Sequence, residues 1–264
     1  MDSYYKGLET ILVSKDNGVA TITLNRPEAR NAVSPRMHSE LSEMWPRISA
    51  DPEIDAIILT GAGKAFCAGG DVKGMDAGAF KHRGSMTTEA RLLITTLLDV
   101  EQPIIAAING DAIGLGATIG LFCDITVAAE TARIADPHVR VGLVAGDGGA
   151  VIWPHLIGPN RAKEFLMRGN MINATEAARL GLVNYAVPAA DVMKKANELA
   201  RELADGPRWA IRWTKVSVNK TLKESVNLVL DTSLAFEEVT MKMPDHLEAA
   251  RAFVEKRKPV FNKD

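Results

Sequence analysis

The sequence predicts an α/β fold in which strands and helices interleave early and helices dominate late. Three observations carry this. Short β-rich runs alternate with a helical apolar period through the first third of the chain. Two glycine-rich stretches each follow an apolar, strand-like run. After about residue 147 the pattern becomes mostly helical as far as the C-terminus.

The elements follow in order. "TILVSK" and "VATITL" flank "DNG", and an Asn-Gly turn between β-rich runs marks a hairpin. Ser34 as N-cap and Pro35 at the first helical position open a helix. Met37, Leu41, Met44 and Ile48 keep its apolar spacing, and Pro46 is expected to kink or shorten it. "DAIILTG" is a continuous apolar run, the pattern of a strand buried on both faces. "PIIAAIN" is a fourth strand leading into "GDAIGLGATIGLFCD", and "ITVAAE" and "ARIA" follow as further strands. "TEAARLGLVNYAV" reads as a short helix stopped by Gly181, then a strand. With no linker and no internal period, the helical C-terminal portion is either a layer over its own core or an oligomerisation arm.

Composition narrows the function. The 264 residues are 47% hydrophobic and 24% charged, ordinary for a globular protein. A net charge of −2 provides no basic field for nucleic acid or an anionic membrane surface. Cys67 and Cys123 cannot form a disulfide framework, and no cluster has zinc-ligand spacing. The N-terminal "MDSYYKGLETILV" is too short and too charged for a signal peptide, and no apolar run reaches spanning length. A cytoplasmic protein without a metal is the expectation.

The chemistry is sought in the glycines. "GAGKAFCAGGD" is no phosphate loop, because Ile58 and Ala65 stand where Gly and Ser or Thr are required. "GLGATIG" is an imperfect dinucleotide fingerprint, separated from the preceding strand by Asn109–Ile113. Both stretches suit a different use, in which two loops bring backbone N–H groups to one developing oxyanion. A helix starting at "GLGATIG" would add its free N–H groups and dipole. The alternative is that these glycines serve only tight turns and close packing.

"LNRPEARNA", "ILTGAGKAFCAGGD", "IAAINGDAIGLG", "CDITVAA" and "AFVEKRKPVF" together resemble the crotonase, or enoyl-CoA hydratase/isomerase, superfamily. The matches run in the family's order over nearly the whole chain. The resemblance implies a spiral of ββα turns over residues 1–200 and a helical trimerisation region over 201–264, assembled as a homotrimer or homohexamer. It also implies an acyl-CoA thioester as substrate, with coenzyme A entering only as part of it, and an enolate held in an oxyanion hole. By resemblance the two donors are the backbone N–H groups of Ala68 and Leu115. Glu28, Ala29 and Arg30 correspond to the CoA-contacting turn, and Ala65, Gly69, Gly70 and Asp71 to the loop along the substrate. Phe253 and Lys256 match positions that close over the nucleotide; a solvated helix face is the alternative for Lys256.

The two glutamates of a hydratase are missing: Thr118 and His138 occupy their positions. Asp147 matches a position where several branches keep a catalytic aspartate. His138 can take and give a proton near neutrality, with a pH limb at roughly 6–7 for an unperturbed ring. Asp147 beside it would act as nucleophile, as base or as the group orienting the ring. His38, His138 and Asp147 with "VIWPHLIGPNR" also resemble the β-diketone hydrolase branch exemplified by oxocamphor hydrolase, although His38 alone reads as a packed or interface histidine. Three functions remain: proton transfer on an enoyl- or oxoacyl-CoA, C–C hydrolysis of a β-diketone or β-oxoacyl-CoA, and inactive acyl-CoA binding. "KGMDAGAFKHRGSMTTEARLL" is the expected pocket lining.

Overall fold

A computed structural model describes residues 3–71 and 86–261. Most of the expected pocket-lining stretch therefore lies outside the described residues. Strands β1 (Ile11–Asp16) and β2 (Val19–Leu24) form the N-terminal hairpin. Asn17 and Gly18 both take positive φ, 45° and 83°, which suits a two-residue turn between twisted strands. Helix α1 (Pro35–Ala50) is capped by Ser34, whose hydroxyl accepts the Met37 N–H. Contrary to expectation, Pro46 does not end it; the helix runs on to Ala50. The Ser42 carbonyl freed by the missing N–H faces the Thr96 hydroxyl at 3.4 Å.

Strand β3 (Ala56–Gly61) leads to helix α2 (Met86–Asp99) and strand β4 (Ile104–Ile108). The short β5 (Ala112–Ile113) and helix α3 (Leu115–Leu121) come next, then β6 (Ile125–Ala129) and β7 (Arg133–Ala135). Helices α4 (Gly149–Ile157) and α5 (Pro159–Arg168), strand β8 (Ile172–Asn173), helix α6 (Ala174–Leu180) and strand β9 (Tyr185–Val187) follow. Gly181 stops α6 at φ 81°.

Six strands pair in the order β1-β2-β3-β4-β6-β9, parallel except for the hairpin, and β5-β7-β8 make a second, smaller sheet. Every residue of β3 and β4 is buried, because helices cover the large sheet. The first turns of the chain stack as repeated strand–helix units, and their strand ends carry the glycine loops to one edge.

The C-terminal third is built by α7 (Val192–Ala204), α8 (Arg208–Thr240) and α9 (Pro244–Val254). Helix α8 buries Leu222, Val226, Leu230 and Leu234 along one stripe against α2 and α4. Each such leucine contributes about 1.5–3 kcal/mol of apolar burial. Lys215 ties the helix to the sheet through Asp124 at 2.7 Å and the Gln102 carbonyl at 2.8 Å. Helix α8 is thus a layer over the chain's own core. Among the described residues, no helix is long and apolar enough to cross a membrane.

Candidate active site

Two loops meet where the sheets adjoin. Asn31, fully buried, donates its side-chain N–H to the Ala62 and Ala65 carbonyls and so shapes the loop after β3. Cys67 pairs in parallel with Ala112, and Ile113 N–H donates to the Cys67 carbonyl at 2.9 Å. Continuing in that register brings Gly69 beside Gly114. A Cβ on Gly69, at φ 90°, would lie 2.8 Å from the Ile113 carbonyl oxygen, so only glycine lets the strands approach this closely.

The next residues in register are Gly70 and Leu115. Val33 N–H donates to the Gly69 carbonyl, and Asp71 N–H to the Val33 carbonyl. These bonds use the groups on either side of Gly70 and leave its own N–H without a partner among the described residues. Leu115 is the first residue of α3, where an N–H has no intrahelical acceptor. Among the described residues, the Gly70 and Leu115 N–H groups, adjacent in this register, are therefore both without a partner. The expectation for Ala68 fails, because its N–H donates to the Arg30 carbonyl at 3.1 Å.

The third component follows β7. Asp136 and Pro137 lead into a tight turn over His138–Val141, and the chain returns through Asp147 to the start of α4. A Cβ on Gly114 would lie 3.6 Å from His138 Cε1, so the imidazole stands beside the start of α3. His138 Nδ1 bonds Asp136 Oδ1 at 2.5 Å, while Nε2 lies 3.5 Å from Asp147 Oδ2 and 3.8 Å from Glu237 Oε1. Thr118, one turn into α3, donates its hydroxyl to Asp147 Oδ1 at 3.2 Å, and the Gly149 N–H donates to the same carboxylate. Thr118 thus holds the aspartate from inside α3.

Three carboxylates share one ring in a buried space: Asp136, Asp147 and Glu237 are 2%, 8% and 5% exposed. Burial alone would lower the imidazole, but the charges of Asp147 and Asp136, the Asp136 hydrogen bond and Glu237 raise His138 well above its ordinary value. The unperturbed limb at roughly 6–7 therefore does not hold. Burial also raises Asp147, against the pull of His138. Burial and the charge of Asp147 push Glu237 up to about 8. The candidate ligand atoms of Asp136, His138 and Asp147 fall within 4.8 Å of one another, with the His138 ring bonded to Asp136 on one side and facing Asp147 on the other.

Glu237 escaped the sequence reading. It extends the stripe Leu222–Val226–Leu230–Leu234 of α8, so a carboxylate at an apolar-stripe position was the available signal. Asp136 lay in plain view but was not assigned. His38 belongs elsewhere: it is buried between α1 and α2 with Nδ1 3.6 Å from Glu89 Oε2, and burial lowers it to about 4. No hydrogen bond or ion pair joins it to the cluster among the described residues.

The remaining expected contacts divide. Pro27–Ala29 form a single tight turn, followed by Arg30 and Asn31 at φ 52° and 57°. Glu28 and Arg30 are exposed and Ala29 half-buried. The Arg30 carbonyl joins this turn to the Gly69–Gly70 loop through Ala68. Ala65 is buried, and the Asp71 carboxylate is held by Arg26 at 3.0 Å. Phe253, 65% exposed, and Lys256 lie at the far end of α9. Neither makes a hydrogen bond or ion pair with residues 28–30 among the described residues.

A profile of the enoyl-CoA hydratase/isomerase family matches residues 14–264. The chain is 34% identical over 256 residues to the short-chain-enoyl-CoA hydratase of Clostridium acetobutylicum, covering 95% of this chain and 97% of that one. It is 32% identical over 258 residues to the 1,2-epoxyphenylacetyl-CoA isomerase of Escherichia coli, covering 96% and 98%. A solved enoyl-CoA hydratase/isomerase from Mycobacterium paratuberculosis superposes with a TM-score of 0.87 at 35% identity, over 93% of this chain and 99% of that one. With the spiral of strand–helix turns and the paired glycine loops in view, these matches lead to one statement: the chain belongs to the enoyl-CoA hydratase/isomerase, or crotonase, superfamily.

Proposed function

We propose that the protein is an acyl-CoA enzyme that moves a proton next to the thioester carbonyl and holds the resulting enolate between the N–H groups of Gly70 and Leu115. The carrying observation is that pair of unpartnered N–H groups beside the His138 ring. Fixed donors aimed at a developing oxyanion stabilise it more than they stabilise the neutral carbonyl. His138 Nε2 is the proton carrier, and Asp147 is the carboxylate it exchanges with. The turn Glu28–Arg30 and the loop Ala65–Asp71 line the CoA side, and Phe253 and Lys256 close over the nucleotide from a neighbouring subunit of a trimer or hexamer. No cofactor beyond the CoA of the substrate enters this reading.

Glu237 favours a second reading. A carboxyl that keeps its proton up to about 8, beside the His138 ring, can hydrogen-bond a second carbonyl. In a β-oxoacyl-CoA, the His138–Asp147 pair would then take a proton from water as it attacks that ketone. The C–C bond breaks, its electron pair enters the thioester enolate, and protonation releases the shorter acyl-CoA and a carboxylic acid.

A panel of enoyl-CoA, β-oxoacyl-CoA and β-diketone substrates followed by mass spectrometry separates the readings, with thioester turnover expected. Leu115→Pro tests the carrying observation: proline suits the first helical position yet removes the N–H. Turnover should fall about 10²–10³-fold with the helix intact by circular dichroism. Absence of binding heat at millimolar CoA ester, together with no thioester turnover, would contradict the proposal.

A further inference from the structure

We infer that Asp136 is a positioning residue, whose carboxylate holds the His138 imidazole with Nδ1 protonated and leaves Nε2 as the only nitrogen open to the reacting atoms. The inference deepens the reading of His138 as proton carrier and rests on it for its kinetic arm alone.

The geometry is specific. Asp136 Oδ1 lies 2.5 Å from His138 Nδ1, and the residue is 2% exposed. Its other oxygen, Oδ2, is buried without a hydrogen-bond partner, so the ring is the one side-chain group that answers this carboxylate among the described residues. The fold keeps room for that oxygen: a Cβ on Gly149 would lie 1.9 Å from Oδ2. Such a place for an unsolvated carboxylate is unfavourable unless the charge acts on something.

The backbone around the pair is held from three sides. Gly114 N–H donates to the Ala135 carbonyl at 2.8 Å, which ties the root of Asp136 to the start of α3. Arg140 N–H donates to the Pro137 carbonyl, and Leu143 N–H to the His138 carbonyl. These bonds fix the backbone from which the carboxylate and the ring project.

A neutral imidazole has two tautomers. Only the Nδ1–H form donates to Asp136, and only that form presents a lone pair on Nε2. The groups facing the ring are Asp136 from the loop after β7, Asp147 from the loop before α4 and Glu237 from α8, with Thr118 of α3 reaching it through Asp147. Asp147 and Glu237 both stand on the Nε2 side. Among the described residues, Asp136 alone stands behind the ring, and without it none of them selects the tautomer from the Nδ1 side.

The test uses the full-length protein labelled with ¹⁵N-histidine, with the His138 ring signals assigned by their loss in His138→Gln. In the wild type above the pH of ring deprotonation, the Nδ1–H tautomer is expected; a dominant Nε2–H form overturns the inference with no variant required. In Asp136→Asn the ring should lose its proton about one or more pH units lower and the tautomer preference should relax. With an acyl-CoA substrate, kcat should fall about 10²–10⁴-fold and KM should stay nearly constant. If Asp136→Asn melts earlier but keeps the wild-type tautomer, ring titration and pH profile, Asp136 is only a packing residue and the inference is wrong. If the wild type turns over no thioester while the tautomer results hold, the functional proposal fails and the role of Asp136 stands.

Discussion

His38 lies between α1 and α2 with one carboxylate oxygen of Glu89 3.6 Å from Nδ1, and burial lowers it to about 4. His138, also largely buried, has Asp136 behind the ring and Asp147 and Glu237 before it, and is raised well above its ordinary value. The same side chain meets the same loss of water in both places. In one, desolvation removes the proton; in the other, the charges of Asp147 and Asp136 foremost retain it. Burial alone strips a histidine of its proton, and burial with acidic groups on both ring nitrogens keeps that proton on. The loops of the two regions differ accordingly. Around His38 the chain is regular helix, whereas around His138 it is a tight turn and a glycine return, which aim Asp136 and Asp147 at a ring that Glu237 reaches from α8.

The comparison breaks most severely at Asp147. Asp147→Asn should keep affinity for the acyl-CoA, measured calorimetrically, while kcat falls about 10²–10⁴-fold. Undiminished turnover in that variant would reduce the cluster to a buried charge network.

Glu237 gives a smaller, pH-dependent effect. Its folded value of about 8 lies above its ordinary 4.5, so the folded state holds a proton that the unfolded chain releases between those values. Folding stability contributed by this group therefore falls as pH rises from about 4.5 towards 8. Glu237→Gln should raise the melting temperature more at pH 8 than at pH 5, relative to wild type, and should remove an alkaline limb of kcat near 8. An identical melting difference at both pH values would show that Glu237 is ionised in the fold.

His38 has the opposite sign and the smallest consequence for turnover. Its folded value of about 4 lies below 6.5, so the unfolded chain takes up the proton first and stability is lost as pH falls from about 6.5 towards 4. His38→Gln should relieve about 2 kcal/mol of that acid penalty, read from urea midpoints at pH 7 and pH 5. A wild-type acid slope that survives in the variant would assign it to other groups.

Much of this was legible beforehand, for local reasons. The hairpin followed from Asn17-Gly18, the start of α1 from Ser34-Pro35, and β3 and β4 from unbroken apolar runs. The two-residue strands β5 and β8 are too short to show a period, and Pro46 is accommodated by a helix far away in sequence. At the site, His138 and Asp147 come together as the sequence suggested. The exchange of Ala68 for Gly70 depends on a carbonyl from the Arg30 turn, a tertiary fact that no motif contains. Glu237 arrives from a helix near the other end of the chain, and Asp136 is distinguished from a surface charge only by its burial.

The central claim is that acid–base work belongs to the His138 cluster and not to buried histidine as such. The most direct measurement is kcat, on one acyl-CoA turned over by the wild type, for His138→Gln and His38→Gln side by side. The account predicts a loss of about 10²–10⁴-fold for His138→Gln and a change of no more than a few-fold for His38→Gln. Equal losses in the two variants, or a larger loss at His38, would contradict it.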